Sequence, residues 1–352
     1  MTAPAAPLVP HGATALRPEW PDLPDFLRTH IEERLGGPVT AVANQGSGFT
    51  PGFASRLVYG KGGTAFVKAA SSEDSPVIAD CYQAEARIVP RLPDGVPTPR
   101  VRWTSEHEGW VVLCFDDVPG QPPARPWDAT ELARVLTALT PMAEALTPGP
   151  PDLVVPALGD WLADDFGYWR QVASAGADAP DPQVAELATL EDQALDALAG
   201  DSVVHCDLRD DNVIMGDDGQ VWICDWNWPS RGAPWLDLLF LLISARGDGY
   251  DGDALFAAHP LGADVDPEAV DAALAGLSGY FTRSSLEPAV PGSPHLRTHQ
   301  AWYAQACLSG SPYAAAGSAD ASPGSPGEPL RAGMPRLVLE MDGQRRPCAL
   351  AS

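Results

Sequence analysis

The residues best suited to chemistry lie in one stretch, His205-Cys206-Asp207-Leu208-Arg209-Asp210-Asp211-Asn212, followed by Ile223-Cys224-Asp225-Trp226. Phosphoryl transfer to an alcohol needs a carboxylate that takes or orients the hydroxyl proton. It also needs oxygen ligands that hold Mg²⁺ on the phosphates, and positive charge to meet the negative charge that develops. An Asp and an Asn five residues apart, on a loop entering a short strand, can face one point. Asp225, one strand later, brings a second oxygen ligand to the same place. Magnesium prefers hard oxygens and keeps several waters, so two side chains plus phosphates suffice. Asp210, Asp211, Asp217 and Asp218 read as exposed turn acids in an acidic chain. Arg209, two residues past Asp207, can reach the transferred phosphate. Its plainer reading is a surface Arg paired with Asp210 or another acid.

The elements that must position these residues divide at about the first third of the chain. Phe26, Ile31 and Leu35 predict a short amphipathic helix ending at Gly36-Gly37. Residues 39–43, 55–59 and 65–69 read as strands separated by Gly-rich turns. A helix over 77–92 carries Glu85, and strands follow at 100–105 and 109–115. The Pro- and Gly-rich residues 116–127 read as a linker between two lobes. Beyond them the pattern is mainly helical, with helices near 132–146, 158–169, 187–198, 235–245, 270–281 and 296–308. Short β-like runs at 202–205, 213–215 and 221–224 frame the chemical residues. The expected organisation is a loose N-terminus and leading helix over 1–36, a nucleotide-binding lobe over 37–115, a catalytic and acceptor lobe over 116–308, and a disordered tail over 309–352.

These motifs resemble the aminoglycoside phosphotransferase family, a small-molecule branch of the protein-kinase-like fold. Its catalytic loop, H-x-D-x-x-x-x-N, is matched by His205, Asp207 and Asn212, its metal-binding Asp by Asp225, and its G-x-P-x-x-D-L stretch by Gly232 to Leu238. The resemblance spans roughly residues 37–308. Cys206 stands where aminoglycoside-modifying members usually have Gly, and Trp226 where protein kinases have Phe-Gly. The resemblance implies an α+β bilobal fold, with a small N-lobe built on an antiparallel sheet and a mainly helical C-lobe. It implies that Asp207 is the base, that Asn212 and Asp225 bind Mg²⁺, and that His205 and Asp237 hold the loop. The kinase template also asks for a strand Lys paired with a helix Glu. Lys68 closes the strand-like run from Thr64, is one of only two lysines in the chain, and has Glu85 as its expected partner. Gly46-Ser47-Gly48-Phe49 with Gly52 would fold over the phosphates, where missing Cβ atoms let backbone N–H groups approach. A hairpin turn has the same composition; the position ahead of Lys68 favours the first reading. Leu113-Cys114-Phe115 would pass the adenine at the hinge.

Composition narrows the partners. The chain has 352 residues, 45% of them hydrophobic, and a formal net charge of −25. That charge repels nucleic acid and draws in small cations. Asp160, Asp164 and Asp165 fall on one predicted helix, with Asp160 and Asp164 sharing a face toward a cationic acceptor. No apolar run approaches the ~18 residues of a membrane span. The N-terminus does not read as a signal peptide. The six scattered cysteines contain no C-x-x-C pair, which fits the cytoplasm. The expected activity is ATP- and Mg²⁺-dependent phosphorylation of a hydroxyl on a small cationic molecule, such as an aminoglycoside or an amino-containing metabolite. The competing class is a catalytically silent kinase-like protein that binds nucleotide or serves as a scaffold. Against it stand Lys68, Asp207, Asn212 and Asp225 together. A protein kinase is disfavoured by the lack of an A-P-E activation segment.

Overall fold

Small apolar residues alternate with larger ones along β3 (Gly63–Ser71), a strand near the middle of the N-lobe sheet. Successive strand side chains face opposite ways, so Ala65, Val67 and Ala69 share one face while Phe66, Lys68 and Ala70 share the other. The computed structural model describes residue 10 and residues 12–175 and 181–309. It builds an antiparallel sheet in the order β1-β2-β3-β5-β4, from β1 (Val39–Asn44), β2 (Phe53–Tyr59), β3, β4 (Val101–His107) and β5 (Trp110–Phe115). Helix α1 (Asp25–Leu35) covers one face. Its Leu27 and Ile31 pack with Phe53, Leu57, Ala65, Val67, Ala69 and Val112. It stops at Gly36, whose φ of 83° ends the helix in the left-handed region. The other face carries α2 (Pro76–Ile88), which buries Ala79, Cys81, Tyr82 and Glu85.

The C-lobe begins with β6 (Gly120–Gln121) and α3 (Ala129–Ala145), whose first turn is capped by the Asp128 carboxylate. Helices α4 (Leu158–Leu162), α5 (Tyr168–Ala175) and α6 (Pro182–Ala197) follow. Strands β7 (Ser202–Val204), β8 (Val213–Gly216), β9 (Val221–Ile223) and β10 (Ser230–Gly232) form two small antiparallel sheets, β10-β7 and β6-β8-β9. The chain then runs through α7 (Leu236–Gly247), α8 (Gly252–Ala258), α9 (Pro267–Ser285) and α10 (Leu296–Leu308). Helix α7 is buried all round, from Leu236 to Arg246. One hydrophobic core joins Tyr82, Val89 and Leu113 of the N-lobe to Leu139, Trp226 and Leu238 of the C-lobe. The lobes therefore share packed apolar surface as well as a connecting segment, residues 116–119. The fold is the expected α+β bilobal, kinase-like one. No helix among the described residues is long and apolar enough to cross a membrane.

Three local expectations change. The predicted helix over 158–169 splits into α4 and α5, because Gly167 between them takes a φ of 126° that no helix can carry. Residues 12–17 are not loose: Thr14 and Ala15 are buried, and Thr14 N–H donates to the Gly46 carbonyl at 3.3 Å. The linker over 116–127 contains β6, which pairs with β8 inside the C-lobe. The predicted disordered tail over 309–352 lies outside the described residues except for Ser309.

Candidate active site

The alternation of β3 turns Lys68 toward the space between the lobes, and α2 sets Glu85 beside it. Lys68 Nζ donates to Glu85 Oε1 at 2.9 Å and Oε2 at 2.7 Å. It also donates to Asp225 Oδ1 in the C-lobe at 2.5 Å. The Tyr82 and Phe115 rings lie 5.6 and 5.7 Å from the ammonium. Burial opposes the Lys68 charge, but Asp225 and Glu85 outweigh it and raise its pKa. Burial pushes Glu85 up to about 7, even against Lys68. Burial also works against the Asp225 charge, yet Lys68 and then Arg17 hold that carboxyl down to about 2.

The loop leaving β7 and entering β8 carries the second group. Asn212 Nδ2 donates to the Asp207 carbonyl at 2.7 Å and to Asp207 Oδ2 at 3.2 Å. That leaves Asn212 Oδ1, a hard oxygen, for a ligand. Arg209 Nη1 lies 2.9 Å from Asp207 Oδ1, and its Nε donates to Asp211 Oδ1 at 2.9 Å. Burial pushes Asp207 up to about 7, with Arg209 holding it back and Asp211 and Asp225 adding to the rise. A carboxyl near neutrality suits a general base.

Asp237, in the first turn of α7, holds this loop in shape. Its carboxylate accepts the N–H of His205 at 2.9 Å and of Cys206 at 3.1 Å. Cys206 sits at a φ of 67°, a left-handed conformation that costs a non-glycine residue roughly 1–2 kcal/mol. Two charge-assisted bonds to the adjoining backbone offset that strain. His205 Nδ1 accepts the Asp207 N–H at 3.2 Å, so Nε2 carries the proton and donates to the Cys224 carbonyl at 2.9 Å. Burial lowers His205 to about 4 and keeps the ring neutral. Trp226, fully buried, meets that ring edge-on at 4.7 Å between centroids.

A cleft of about 280 Å³ runs between the lobes. Ser47, Gly48, Lys68, Phe115, Asn212 and Asp225 all line it. Asn212 and Asp225 form a two-oxygen set of the kind magnesium takes beside phosphates, so the residues present fit that ion.

A sequence profile of the phosphotransferase enzyme family matches residues 48–286, more than half of the chain. The chain belongs to the phosphotransferase enzyme family. No curated protein matches it. Among solved structures, the phosphotransferase is similar to aminoglycoside phosphotransferase APH(4)-Ia, with a TM-score of 0.55 at 15% identity over 81% of this chain and 98% of that one. A thermostable mutant of the same protein, in ternary complex with AMP-PNP and hygromycin B, matches with a TM-score of 0.55 at 16% identity, over 82% and 99% of the two chains. A second mutant, in complex with ADP and hygromycin B, gives 0.53 at 15% identity, over 80% and 96%. At such identity the likeness shows a shared fold.

Other expected site residues of the phosphotransferase fall differently. Leu113 is fully buried in the shared core, and the cleft wall is made instead by Phe115 and the following Asp116, Asp117 and Val118. The Gly46 carbonyl is bound by the N-terminal segment, while Ser47 and Gly48 face the cleft. Arg209 pairs with acids, Asp207 and Asp211, but is buried rather than at the surface. Asp210 and Asp211 are not exposed turn acids. Asp210 is buried and lies 3.4 Å from Arg125, and Asp211 lines the cleft. Asp160 and Asp164 are exposed, do not line the described cleft, and share no helix, since α4 ends at Leu162. Asp165 is bound instead by Arg283, at 2.5 Å. Phe49, of the loop expected over the phosphates, instead packs its buried ring on His299 at 4.5 Å. Sequence reasoning missed Arg17, which lines the cleft.

Two predictions follow from this geometry. Lys68 neutralises two carboxylates, so Lys68→Met should cost about 3–5 kcal/mol of stability and lower turnover on the order of 10²-fold or more. Adding Glu85→Gln should recover part of the melting temperature and none of the turnover; recovery of both would make the pair purely structural. His205 has a folded pKa of about 4 against an ordinary 6.5. Its contribution to stability is therefore complete above pH 6.5 and is lost as pH falls toward 4. Urea unfolding across that window should show a slope that His205→Gln flattens by up to about 1.4 kcal/mol per pH unit. Parallel slopes would contradict a buried neutral ring.

Proposed function

We propose that this phosphotransferase moves the γ-phosphoryl group of ATP to a hydroxyl of a small, amino-bearing acceptor. The observation that carries the reading is the buried Lys68 bridge between Glu85 and Asp225, facing a cleft that Asn212 also lines. Lys68 would lie against the nucleotide phosphates, with Glu85 fixing its direction. The glycine-rich loop at Ser47 and Gly48 would cover those phosphates, and the adenine would sit against Phe115 and the connecting residues that follow it. Asn212 and Asp225 would hold Mg²⁺, which when bound neutralises phosphate charge and aligns the transferred group. Asp207 would take the acceptor's hydroxyl proton. Asn212 and Arg209 fix the direction of its carboxylate, and Arg209 supplies positive charge beside it. His205 and Asp237 would hold the loop without touching either substrate. ATP use is further supported by the similar proteins of the same fold that carry ADP or AMP-PNP together with a small-molecule substrate.

The acceptor's charge is supported by the −25 net charge of the chain, which favours approach of ammonium groups. Asp160 and Asp164, exposed on the C-lobe, could act in that long-range attraction but form no shared binding face.

The reading is tested by ADP release with Mg²⁺ and ATP across amino sugars, amino alcohols and cyclic peptides. One class should stimulate release, and Asp207→Asn should lower kcat for it on the order of 10²–10⁴-fold while nucleotide binding stays. Tight nucleotide binding without transfer to any acceptor would favour the catalytically silent alternative. For the preferred acceptor, KM should rise steeply with salt, because the screening length shrinks from about 10 Å at 0.1 M to about 3 Å at 1 M. A salt-independent KM would remove the cationic acceptor and leave the kinase reading in place.

A further inference from the structure

Three cationic side chains line the cleft: Lys68, Arg56 and Arg17. Lys68 is bound to Glu85 and Asp225, and Arg56 to Asp117. Arg17 forms no salt bridge among the described residues, and its charge acts on Asp225 only at longer range. Its guanidinium touches only backbone: Nη1 donates to the Gly52 carbonyl at 3.1 Å and Nη2 to the Ser47 carbonyl at 2.9 Å. Its Nε is buried without a hydrogen-bond partner. In a chain with 47 acids and 22 basic residues, an arginine held in a cleft without a salt bridge is unusual. The cleft wall around it is glycine-rich loop, where a phosphate is expected. A side chain added at Gly48 would meet Arg17 Nη2 at 3.2 Å, so the guanidinium lies directly against that loop.

Arg17 reaches this place because its own segment is anchored. Thr14 Oγ1 donates to the Gly48 carbonyl, and Leu16 N–H donates to the Gly292 carbonyl of the C-lobe at 2.6 Å. The segment thus ties the glycine-rich loop to the C-lobe at Gly292. It also lies outside the residues matched by the family profile, which begins at residue 48.

We propose that Arg17 is a nucleotide-phosphate-binding residue, supplied by the N-terminal segment. This rests on the reading of the cleft as an ATP site. Two of the guanidinium's N–H groups fix its position on loop carbonyls. The remaining ones are free to bind phosphate oxygens, for which the planar fork is suited. With Lys68 committed to two carboxylates, Arg17 is the cation in the cleft that a polyphosphate would not have to win from a protein acid.

The competing role is a clamp that only shapes the loop. Calorimetric titration of the full-length chain with adenosine, ADP and ATP, in Mg²⁺ and without acceptor, separates the two. Arg17→Met should weaken ATP binding on the order of 10- to 100-fold, ADP less, and adenosine not measurably. Arg17→Lys, which keeps the charge, should recover part of the ATP loss. Thr14→Val loosens the same segment while keeping the guanidinium, and should shift all three ligands by one factor. Equal losses for adenosine and ATP in Arg17→Met, or ATP binding within twofold of wild type, would overturn the proposal while the ATP site stands. A wild-type chain that binds none of the three would overturn the ATP site itself, and this inference with it.

Discussion

A single ammonium group ties the two lobes together at the point where chemistry is expected. Lys68 reaches Glu85 on its own lobe and Asp225 on the other; Lys68 and Glu85 are buried, while Asp225 is partly exposed to the cleft. Two carboxylates brought this close repel one another, and each resists burial as an anion. The lysine makes their coexistence possible, so the angle between the lobes, the seat of α2 and the direction of Asp225 depend on one another. The shared core from Tyr82 to Leu238 supports this arrangement by making any wide separation of the lobes expose apolar surface. In this state Asp225 is engaged by Lys68. Binding of a metal and phosphates would have to redistribute that charge.

The C-lobe meets the same demand through backbone. The loop from His205 to Asn212 bends through a left-handed Cys206, and Asp225 is itself left-handed at a φ of 70°. Neither position holds a glycine, so the conformations must be imposed by their surroundings. Asp237 imposes the first from the buried helix α7. His205 links the loop to the Cys224 carbonyl beside the second. Trp226 then fills the space against His205. The parts that point side chains into the cleft are thereby fastened to the most deeply buried helix of the protein.

Much of this was legible in the chain because it is carried by local pattern. Strand alternation is enough to turn Lys68 away from Val67 and Ala69. The spacing of Asp207, Asn212 and Asp225 around short strands is enough to bring them to one region. What was not legible depends on distant partners. Asp210 and Asp211 look like turn acids until Arg125 and Arg209 fold over them. Asp160 and Asp164 keep helical spacing, but α4 stops at Leu162, two residues short of Asp164. Arg17 lies in a Pro- and Ala-rich stretch that looks unstructured, and its place is set by carbonyls 30 and 35 residues away. The run Leu113-Cys114-Phe115 reads as one hinge stretch, yet strand alternation sends both neighbours of Cys114 into the same core, and only Phe115 reaches the cleft wall.

If the cleft takes Mg²⁺ and ATP as proposed, Asp225 would exchange its bond to Lys68 for the metal ion. Titration calorimetry of ATP with and without Mg²⁺, in the wild type and in Asp225→Asn, tests it most directly. The account predicts that Mg²⁺ tightens ATP binding in the wild type and that most of this tightening disappears in the variant, while metal-free ATP binding is retained. The same Mg²⁺ dependence in both proteins would contradict it.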